Sequence, residues 1–248
     1  MANTSEQGHN HNVVNFEKLI ICCTSYGRAY NPSKTSLKIE AMQAQLTEAK
    51  GSLEATNAIN SEYKNVVAAR VAEFKTLDKL ITRANNALKA SDAPKEVIDS
   101  AQYFVRKLQG RRATPKKTEE EKKVAADTGN KIVEISSSQM SYDSRLDNFD
   151  KFIKLLSSVT QYAPNEVDLK VTALTALHTN LKAKNLAVIN AETALSNARI
   201  TRNDIMYKDD LGLVDVVTDA KTYIKSVFGA TSPKYKQVSN LKFTKYNN

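Results

Sequence analysis

Tryptophan is absent from this chain of 248 residues, and glycine, proline and cysteine are scarce, with seven, five and two residues. So few glycines and prolines leave little of the chain for the turns that link the strands of sandwiches and barrels. Alanine, leucine, lysine and asparagine dominate instead, which is typical of helical bundles. The composition therefore predicts an all-α protein.

Long apolar runs are also missing. The longest unbroken run, Leu19 to Cys23, is far too short to span a membrane, and the polar residues 1–12 lack the apolar core of a signal peptide. Cys22 is the chain neighbour of Cys23, so the two cannot form an ordinary disulfide with each other. We interpret them as buried thiols in a reducing compartment, and we expect a cytoplasmic protein that does not bind a membrane.

The sequence also lacks motifs that bind cofactors or carry out catalysis. The isolated glycines form no phosphate-binding loop, and no Glu-x-x-His sequence is present for a di-metal bundle. His9 and His11 have no third metal ligand nearby in the sequence, and we interpret His178 as a structural residue of a helix interface. A catalytic site assembled in space stays open, but no nucleophile motif indicates one. We expect no enzyme activity, no cofactor, no metal and no small-molecule substrate.

What the sequence does contain is a repeated stretch. Residues 30–78 and 162–210, aligned without a gap at an offset of 132, are identical at twelve of 49 positions. The string NFEKLI at residues 15–20 is echoed by NFDKFI at residues 148–153. Similarity of this kind, with flanking motifs in the same order, indicates a tandem duplication of an elongated helical-bundle unit with one long helix per repeat.

The duplication predicts four parts of the chain. Residues 1–12 are predicted to be a flexible N-terminal tail, because they are polar and terminal. Residues 13–110 form the first helical repeat, and residues 144–248 form the second. Residues 111–143 between them are predicted to be a basic and polar linker.

Helix boundaries follow from capping residues. Asn31 and Pro32 are typical of a helix start and predict the beginning of the first long helix. By analogy with residues 208–212 of the second copy, this helix is expected to bend near residues 76–79 and to continue as a separate helix to Ala90. The other predicted helices cover residues 13–25, 94–108, 144–158, 165–207 and 213–228, with a short last helix from Pro233.

Apolar residues of the first long helix recur at alternating steps of three and four. This spacing predicts a face that packs along its whole length. Thr56, Asn60 and Arg70 are the polar exceptions in this series, which is Ile39, Met42, Leu46, Ala49, Leu53, Thr56, Asn60, Tyr63, Val67, Arg70, Phe74, Leu77, Ile81, Ala84 and Leu88. The matching positions of the second copy are less apolar, and we expect Leu177, Leu186 and Ile189 to shift its packing face.

One arginine recurs on this face. Arg70 and Arg202 match in the two copies, and each precedes a matching aspartate, Asp78 or Asp210, by eight residues. A buried arginine is costly unless its charge and its donors are satisfied. Two interpretations stay open: an arginine that ties a helix bend to a carboxylate or to backbone carbonyls, or an anion site that occurs twice.

Positive charge collects at the C-terminal end of each repeat, within a formal net charge of +9. Residues 106–123 contain eight basic residues and three glutamates. Residues 221–248 contain six lysines and no acidic residue. The candidate phosphate-contacting residues are Arg106, Lys107, Arg111, Arg112, Lys221, Lys225, Lys234, Lys236, Lys242 and Lys245. A solvated basic face and a nucleic-acid site both fit this pattern.

Three strings resemble the sequences of uncharacterised all-helical proteins of Bacteroidota-type bacteria. They are NFEKLI at residues 15–20, YNPSK at residues 30–34 and FGATSPKYKQV at residues 228–238. The resemblance implies a cytoplasmic all-helical protein. It implies no activity and no site residue.

Two functions follow as expectations. The first is a non-catalytic structural or scaffolding protein that contacts itself or another protein through its helical faces. The second is a nucleic-acid-associated protein that binds phosphates through the two basic ends. Five aromatic residues interleave with the C-terminal lysines, and they are as suited to a core as to stacking on bases.

Overall fold

A computed structural model describes residues 4–111, 118, 120, 123 and 140–246, without the side chains of residues 4–7. This part of the chain is all helical and contains no strand. We number its α-helices in chain order: α1 Thr4–Ser25, α2 Ile39–Lys75, α3 Leu77–Lys89, α4 Lys95–Leu108, α5 Tyr142–Ser157, α6 Val171–Tyr207, α7 Leu213–Phe228 and α8 Pro233–Ser239. Short 3-10 turns lie at Gly27–Ala29, Thr35–Leu37 and Val167–Leu169.

Several predicted helix ends are confirmed. α8 begins at Pro233, and the Ser232 hydroxyl accepts a hydrogen bond from the Tyr235 N–H, as a serine cap does. α1 ends just before Gly27, and α4 ends just before Gly110. Both glycines have a positive φ, 59° and 65°, which other residues rarely adopt.

The predicted break after the first long helix is confirmed as well. α2 ends at Lys75 and α3 begins at Leu77. In the second copy α6 ends at Tyr207 and α7 begins at Leu213.

The predicted starts of the long helices are wrong. α2 begins at Ile39 rather than at Asn31, and α6 begins at Val171 rather than at Asn165. The reason is a buried tyrosine before each helix. The Tyr30 hydroxyl donates to the Leu37 carbonyl (2.9 Å), and the Tyr162 hydroxyl donates to the Leu169 carbonyl (2.7 Å). Each bond closes a compact turn over the residues that the capping pattern assigned to the helix.

α1 begins nine residues before the predicted start at Val13. Residues 4–12, assigned from sequence to a flexible tail, belong to this helix. His9 and Asn12 are buried. Most of the predicted linker, residues 111–143, lies outside the described residues.

The chain divides into two compact units whose bounds differ from those of the predicted repeats. Unit 1 comprises the described residues of Met1–Lys64 and Ala191–Asn248, and unit 2 comprises those of 65–190. α2 begins in unit 1 and ends in unit 2, whereas α6 begins in unit 2 and ends in unit 1. Each unit therefore combines the first half of one long helix with the second half of the other.

Each unit has its own apolar core. The core of unit 1 is built from α1, α7, α8 and the adjoining halves of the long helices, around Phe16, Leu19, Met42, Leu213 and Ile224. The core of unit 2 is built from α3, α4 and α5 with the other halves. Its largest fully buried side chains include Leu77, Ile81, Leu108, Phe149 and Phe152.

The predicted face of α2 is confirmed in part. Met42, Ala49, Thr56 and Phe74 are buried, and the other predicted positions in α2 are half-buried. The expected shift of the face in α6 is wrong for Leu186 and Ile189, which are 54% and 48% exposed. Leu177, the third residue of that prediction, is half-buried and packs against the core of unit 2. The buried residues of α6 are Leu174, Leu181, Asn185, Val188, Leu195, Arg202, Met206 and Tyr207.

Among the described residues, no helix combines the length and the apolar character that crossing a bilayer requires.

The two tyrosine turns give a first prediction. Tyr30→Phe and Tyr162→Phe should each lower the free energy of unfolding by about 1–2 kcal/mol, because each leaves a buried carbonyl without its donor. Tyr103→Phe is the matched control, since the Tyr103 side chain is exposed, and it should change stability by less than about 0.5 kcal/mol. Urea unfolding measures all three. A loss below about 0.5 kcal/mol for both buried tyrosines would contradict the role given to these bonds.

Tyr162 also predicts a pH dependence. Burial raises the pKa of its phenol from 10.0 to about 12, so the folded state favours the neutral form. This contribution is complete below pH 10 and is lost as the pH rises from about 10 to about 12. Tyr162→Phe should therefore reduce the alkaline loss of stability over that window, as urea unfolding at several pH values would show.

Candidate functional site

Arg70 lies at the centre of a polar group in unit 2. Its Nη1 donates to the Asn185 Oδ1 (2.9 Å), and its guanidinium carbon lies 3.9 Å from the centroid of the Tyr142 ring. The amide nitrogen of Asn185 in turn donates to Asp143 (2.7 Å). The cation is thus held by an amide and by a ring face, and both contacts suit a guanidinium.

Asp78, the predicted partner position, is paired with a different arginine. Arg145 Nη2 donates to the Asp78 Oδ1 (2.6 Å), which joins α5 to α3. The Arg145 side chain is 11% exposed and that of Asp78 is 48% exposed. Arg145 also lies over the ring of Phe74, at 5.5 Å from its centroid. The buried cation therefore depends on a carboxylate that water still reaches.

The matching residues of unit 1 have other surroundings. Arg202 is buried, and its Nε and Nη2 both donate to the Asn203 Oδ1 (3.2 and 3.0 Å). Asp210 is exposed and has a positive φ of 64°. Its backbone N–H donates to the Asp215 carboxylate (3.1 Å). Arg202 thus bonds a neighbour on its own helix, whereas Arg70 bonds a residue of another helix.

The basic end of the first repeat is described only in part. Arg106 and Lys107 are half-buried on α4, and the Lys107 Nζ lies 4.6 Å from the centroid of the Tyr103 ring. Arg111 is exposed, and Arg112 lies outside the described residues.

Three lysines of the basic C-terminal end are engaged inside unit 1. Lys221 Nζ donates to the Leu241 carbonyl (2.5 Å), and partial burial lowers the pKa of Lys221. Lys234 Nζ lies 4.5 Å from the Phe228 centroid. Lys245 bonds Asp209 (3.0 Å) and Asp215 (3.2 Å), and these hydrogen bonds raise the pKa of Lys245. Lys234 is exposed as well, but it lies over a ring; the exposed lysines of the described part of this end with neither a salt bridge nor a ring contact are Lys225, Lys236 and Lys242.

The aromatic residues among these lysines pack against the core of unit 1. They are Tyr223, Phe228, Tyr235, Phe243 and Tyr246, and all five are half-buried. Tyr223 meets Tyr30 edge to face at 5.4 Å, and Phe228 meets Tyr26 in the same way at 5.2 Å. These five rings are therefore packed within unit 1 among the described residues.

A cleft of about 470 Å³ lies between α5 and α6 in unit 2. Its lining includes the exposed Leu186 and Ile189, and the half-buried His178 packs on Phe149 with 6.1 Å between ring centroids. Lys182 and Asn185 are the other lining residues from α6, and α5 lines the opposite side with one apolar and three acidic residues. Those from α5 are Asp143, Leu146, Asp147 and Asp150.

Unit 1 has a cleft of about 430 Å³ at the equivalent place, between α1 and α2. It is lined by Asn10, Val13, Val14, Lys50, Leu53, Glu54 and Asn57. Lys50 matches Lys182 of the other cleft at the repeat offset. Lys50 forms a salt bridge with Glu17 (2.7 Å). The rest of this cleft differs from that of unit 2, because Glu54 and Asn57 occupy the positions that match Leu186 and Ile189. The cleft of unit 2 is therefore the more apolar of the pair.

The two histidines predicted to lie in a mobile tail have hydrogen-bond partners. His9 Nδ1 lies 2.6 Å from the Tyr207 hydroxyl, and His11 Nε2 lies 2.9 Å from the Asn15 amide nitrogen. Sequence reasoning missed Asn12 and Asn15 as individual residues, although both are buried on one face of α1. A polar residue at a core position of a helix is the signal that would have found both.

Comparison with protein-family models, with curated proteins and with solved structures found no match to this chain. The resemblance drawn from three sequence strings therefore stays a prediction.

The Asp78–Arg145 pair gives a second prediction. Asp78→Asn should lower the free energy of unfolding by about 1–3 kcal/mol, because it leaves a buried guanidinium without its counter-charge. Arg145→Met should cost less than Asp78→Asn, since it removes the buried charge together with an Nε that has no partner in the described part of the chain. Urea unfolding of both variants and of the double variant checks this order.

Asp210→Asn is the matched control at the equivalent position of the second copy. It should change stability by less than about 0.5 kcal/mol, because the Asp210 side chain is exposed and asparagine adopts a positive φ readily. If Arg145→Met were the more damaging change, the pair would be a stabilising contact rather than a buried charge that needs its partner.

Proposed function

We propose that the chain is a non-catalytic structural or scaffolding protein of the cytoplasm that acts through contacts with itself or with another protein. The observation that supports this most is the cleft of unit 2. It leaves Leu186 and Ile189 about half exposed, one helical turn apart on α6. Neighbouring apolar side chains on one helix face are typical of a surface that receives another helix.

The packing of the basic C-terminal end supports the same proposal. Its aromatic rings are engaged with the core of unit 1, and Lys221, Lys234 and Lys245 are engaged with a carbonyl, a ring and carboxylates. The free thiols of Cys22 and Cys23 support the cytoplasmic assignment. Burial raises the pKa of the Cys23 thiol to about 12, which makes it unreactive at neutral pH.

We further propose that the chain arose by a tandem duplication. The bounds of the two long helices support it, since Ile39–Lys75 and Val171–Tyr207 are both 37 residues long and are offset by 132. The 3-10 turns Thr35–Leu37 and Val167–Leu169 have the same offset, as do the ends of α1 and α5. The two tyrosine-to-carbonyl bonds and the two clefts add matched details.

Sedimentation velocity tests the contact surface, and this is a third prediction. The protein should associate with rising concentration, or retain a protein partner when purified from its source. Leu186→Glu combined with Ile189→Glu should weaken that association about tenfold or more, because two charges would have to be desolvated in the contact.

Ile200→Glu is the matched control for this test. Ile200 is on the same helix, is 57% exposed and does not line the cleft, so its replacement should leave the association intact. A wild-type chain that stays monomeric at all concentrations and retains no partner would contradict the proposed function.

Nucleic-acid binding is the second candidate, and three exposed lysines favour it. Lys225, Lys236 and Lys242 are exposed lysines of the C-terminal end that make neither a salt bridge nor a ring contact among the described residues. If they bind duplex DNA, the slope of log K against log salt should be about −0.9 per neutralised phosphate. Replacing the three by glutamine should flatten that slope by up to about three such steps.

Lys34→Gln is the control for the binding assay, because Lys34 is already paired with Asp219 (2.5 Å). Binding that is negligible at physiological salt, or that is unchanged in the triple variant, would rule out this candidate.

A further inference from the structure

The last part of the chain is bound to α1 through its backbone. Residues 241–246, which we call the C-terminal segment, are not helical. The Asn12 amide bonds both backbone groups of Thr244: its Nδ2 donates to the carbonyl (2.8 Å), and its Oδ1 accepts from the N–H (3.0 Å). Asn15 Nδ2 donates to the Lys242 carbonyl (2.8 Å). Two asparagines, three residues apart on one helix, thus bind alternate residues of the segment.

The side chains of the C-terminal segment divide into two groups. Leu241, Phe243 and Tyr246 are half-buried and pack against the core of unit 1, whereas Lys242, Thr244 and Lys245 are exposed. An extended peptide that lies in a groove presents its residues in this way.

Gly8 makes room for the end of the segment. The Tyr246 ring lies against His9, with 5.0 Å between centroids, and against Tyr207 at 5.8 Å. A Cβ atom on Gly8 would lie 1.8 Å from the Tyr246 hydroxyl oxygen, so a larger residue at this position would displace the ring. α1 therefore carries a place for an aromatic side chain next to the asparagines that bind the backbone.

The two asparagines are almost completely buried, with 0% of Asn12 and 4% of Asn15 exposed. Buried amides are costly unless they are hydrogen-bonded, and the segment supplies backbone partners to both. In α5 of unit 2, the residue that matches Asn15 is Asn148, whose Nδ2 donates to Ser144 in its own helix (2.8 Å). Helix α4 packs on α5 there.

We propose that this face of α1, formed by Gly8, His9, Asn12 and Asn15, also binds the C-terminal segment of a second copy of the chain. Every copy carries the same groove and the same segment, so the hydrogen bonds that open within one copy form again between two copies.

This exchange is one route to the self-association proposed above and rests on that function. Its test uses two full-length variants. The first, Asn12→Ala with Asn15→Ala, has a defective groove and an intact segment. The second, Phe243→Ala with Tyr246→Ala, has an intact groove and a defective segment. Neither should pair by exchange alone, but the mixture should form a heterodimer, because the first supplies the segment and the second supplies the groove.

Sedimentation velocity of the mixture measures the heterodimer, and circular dichroism checks that each variant is folded. A control mixture replaces the first variant with one that carries all four substitutions, and its heterodimer should be weaker by about tenfold or more. Asn10→Ala, an exposed residue of the same helix, should leave wild-type association unchanged. If the double variant of α1 does not fold, Asn15→Ala alone takes its place.

A mixture without heterodimer would overturn the exchange, as would one in which the control pair associates equally well. Wild-type chains that associate while the mixture does not would leave the proposed function standing without this route. The mixture could also form a heterodimer while the wild-type chain stays monomeric. That result would contradict the proposed self-association, and it would show that the groove can bind the segment of a second copy.

Discussion

The structure depends on how two long helices bury their apolar residues. A helix of 37 residues is stabilised in water mainly by the face that it packs. In α2, Met42, Ala49 and Thr56 are buried in unit 1, and the next buried residue is Phe74 in unit 2. The two ends of α2 therefore depend on different cores. Each core is completed by the opposite end of α6, so neither predicted repeat makes a core from its own residues alone.

This arrangement explains where matched residues keep a shared role and where they diverge. Tyr30 and Tyr162 form the same turn, because each precedes a long helix within one unit. Arg70 and Arg202 match in sequence, yet their surroundings come from different neighbours. Arg70 meets Asn185 and Tyr142, whereas Arg202 bonds Asn203. The divergence extends to the two clefts, since the cleft of unit 2 has the exposed Leu186 and Ile189 where the cleft of unit 1 has Glu54 and Asn57.

The sequence predicted the helical class, the break after Lys75 and the start of α8, because these follow from local patterns of spacing, caps and glycines. It did not predict the starts of α2 and α6, since a buried tyrosine outweighs the local preference of Asn31 and Pro32 for a helix start. The Arg145–Asp78 pair was also missed, as it joins residues that are 67 positions apart. His9 and Asn12 were assigned to a tail because their partners, Tyr207 and Thr244, lie at the other end of the chain.

Native-state hydrogen exchange of α2 tests most directly whether each long helix is shared between two units. The account predicts that Val217→Ala, which weakens the core of unit 1, lowers the protection of amides around residues 42–53 and leaves those around residues 70–75 unchanged. Leu108→Ala, in the core of unit 2, should do the opposite. If either substitution lowered protection evenly along the whole of α2, the helix would open as one cooperative element, and the division into two units would be contradicted.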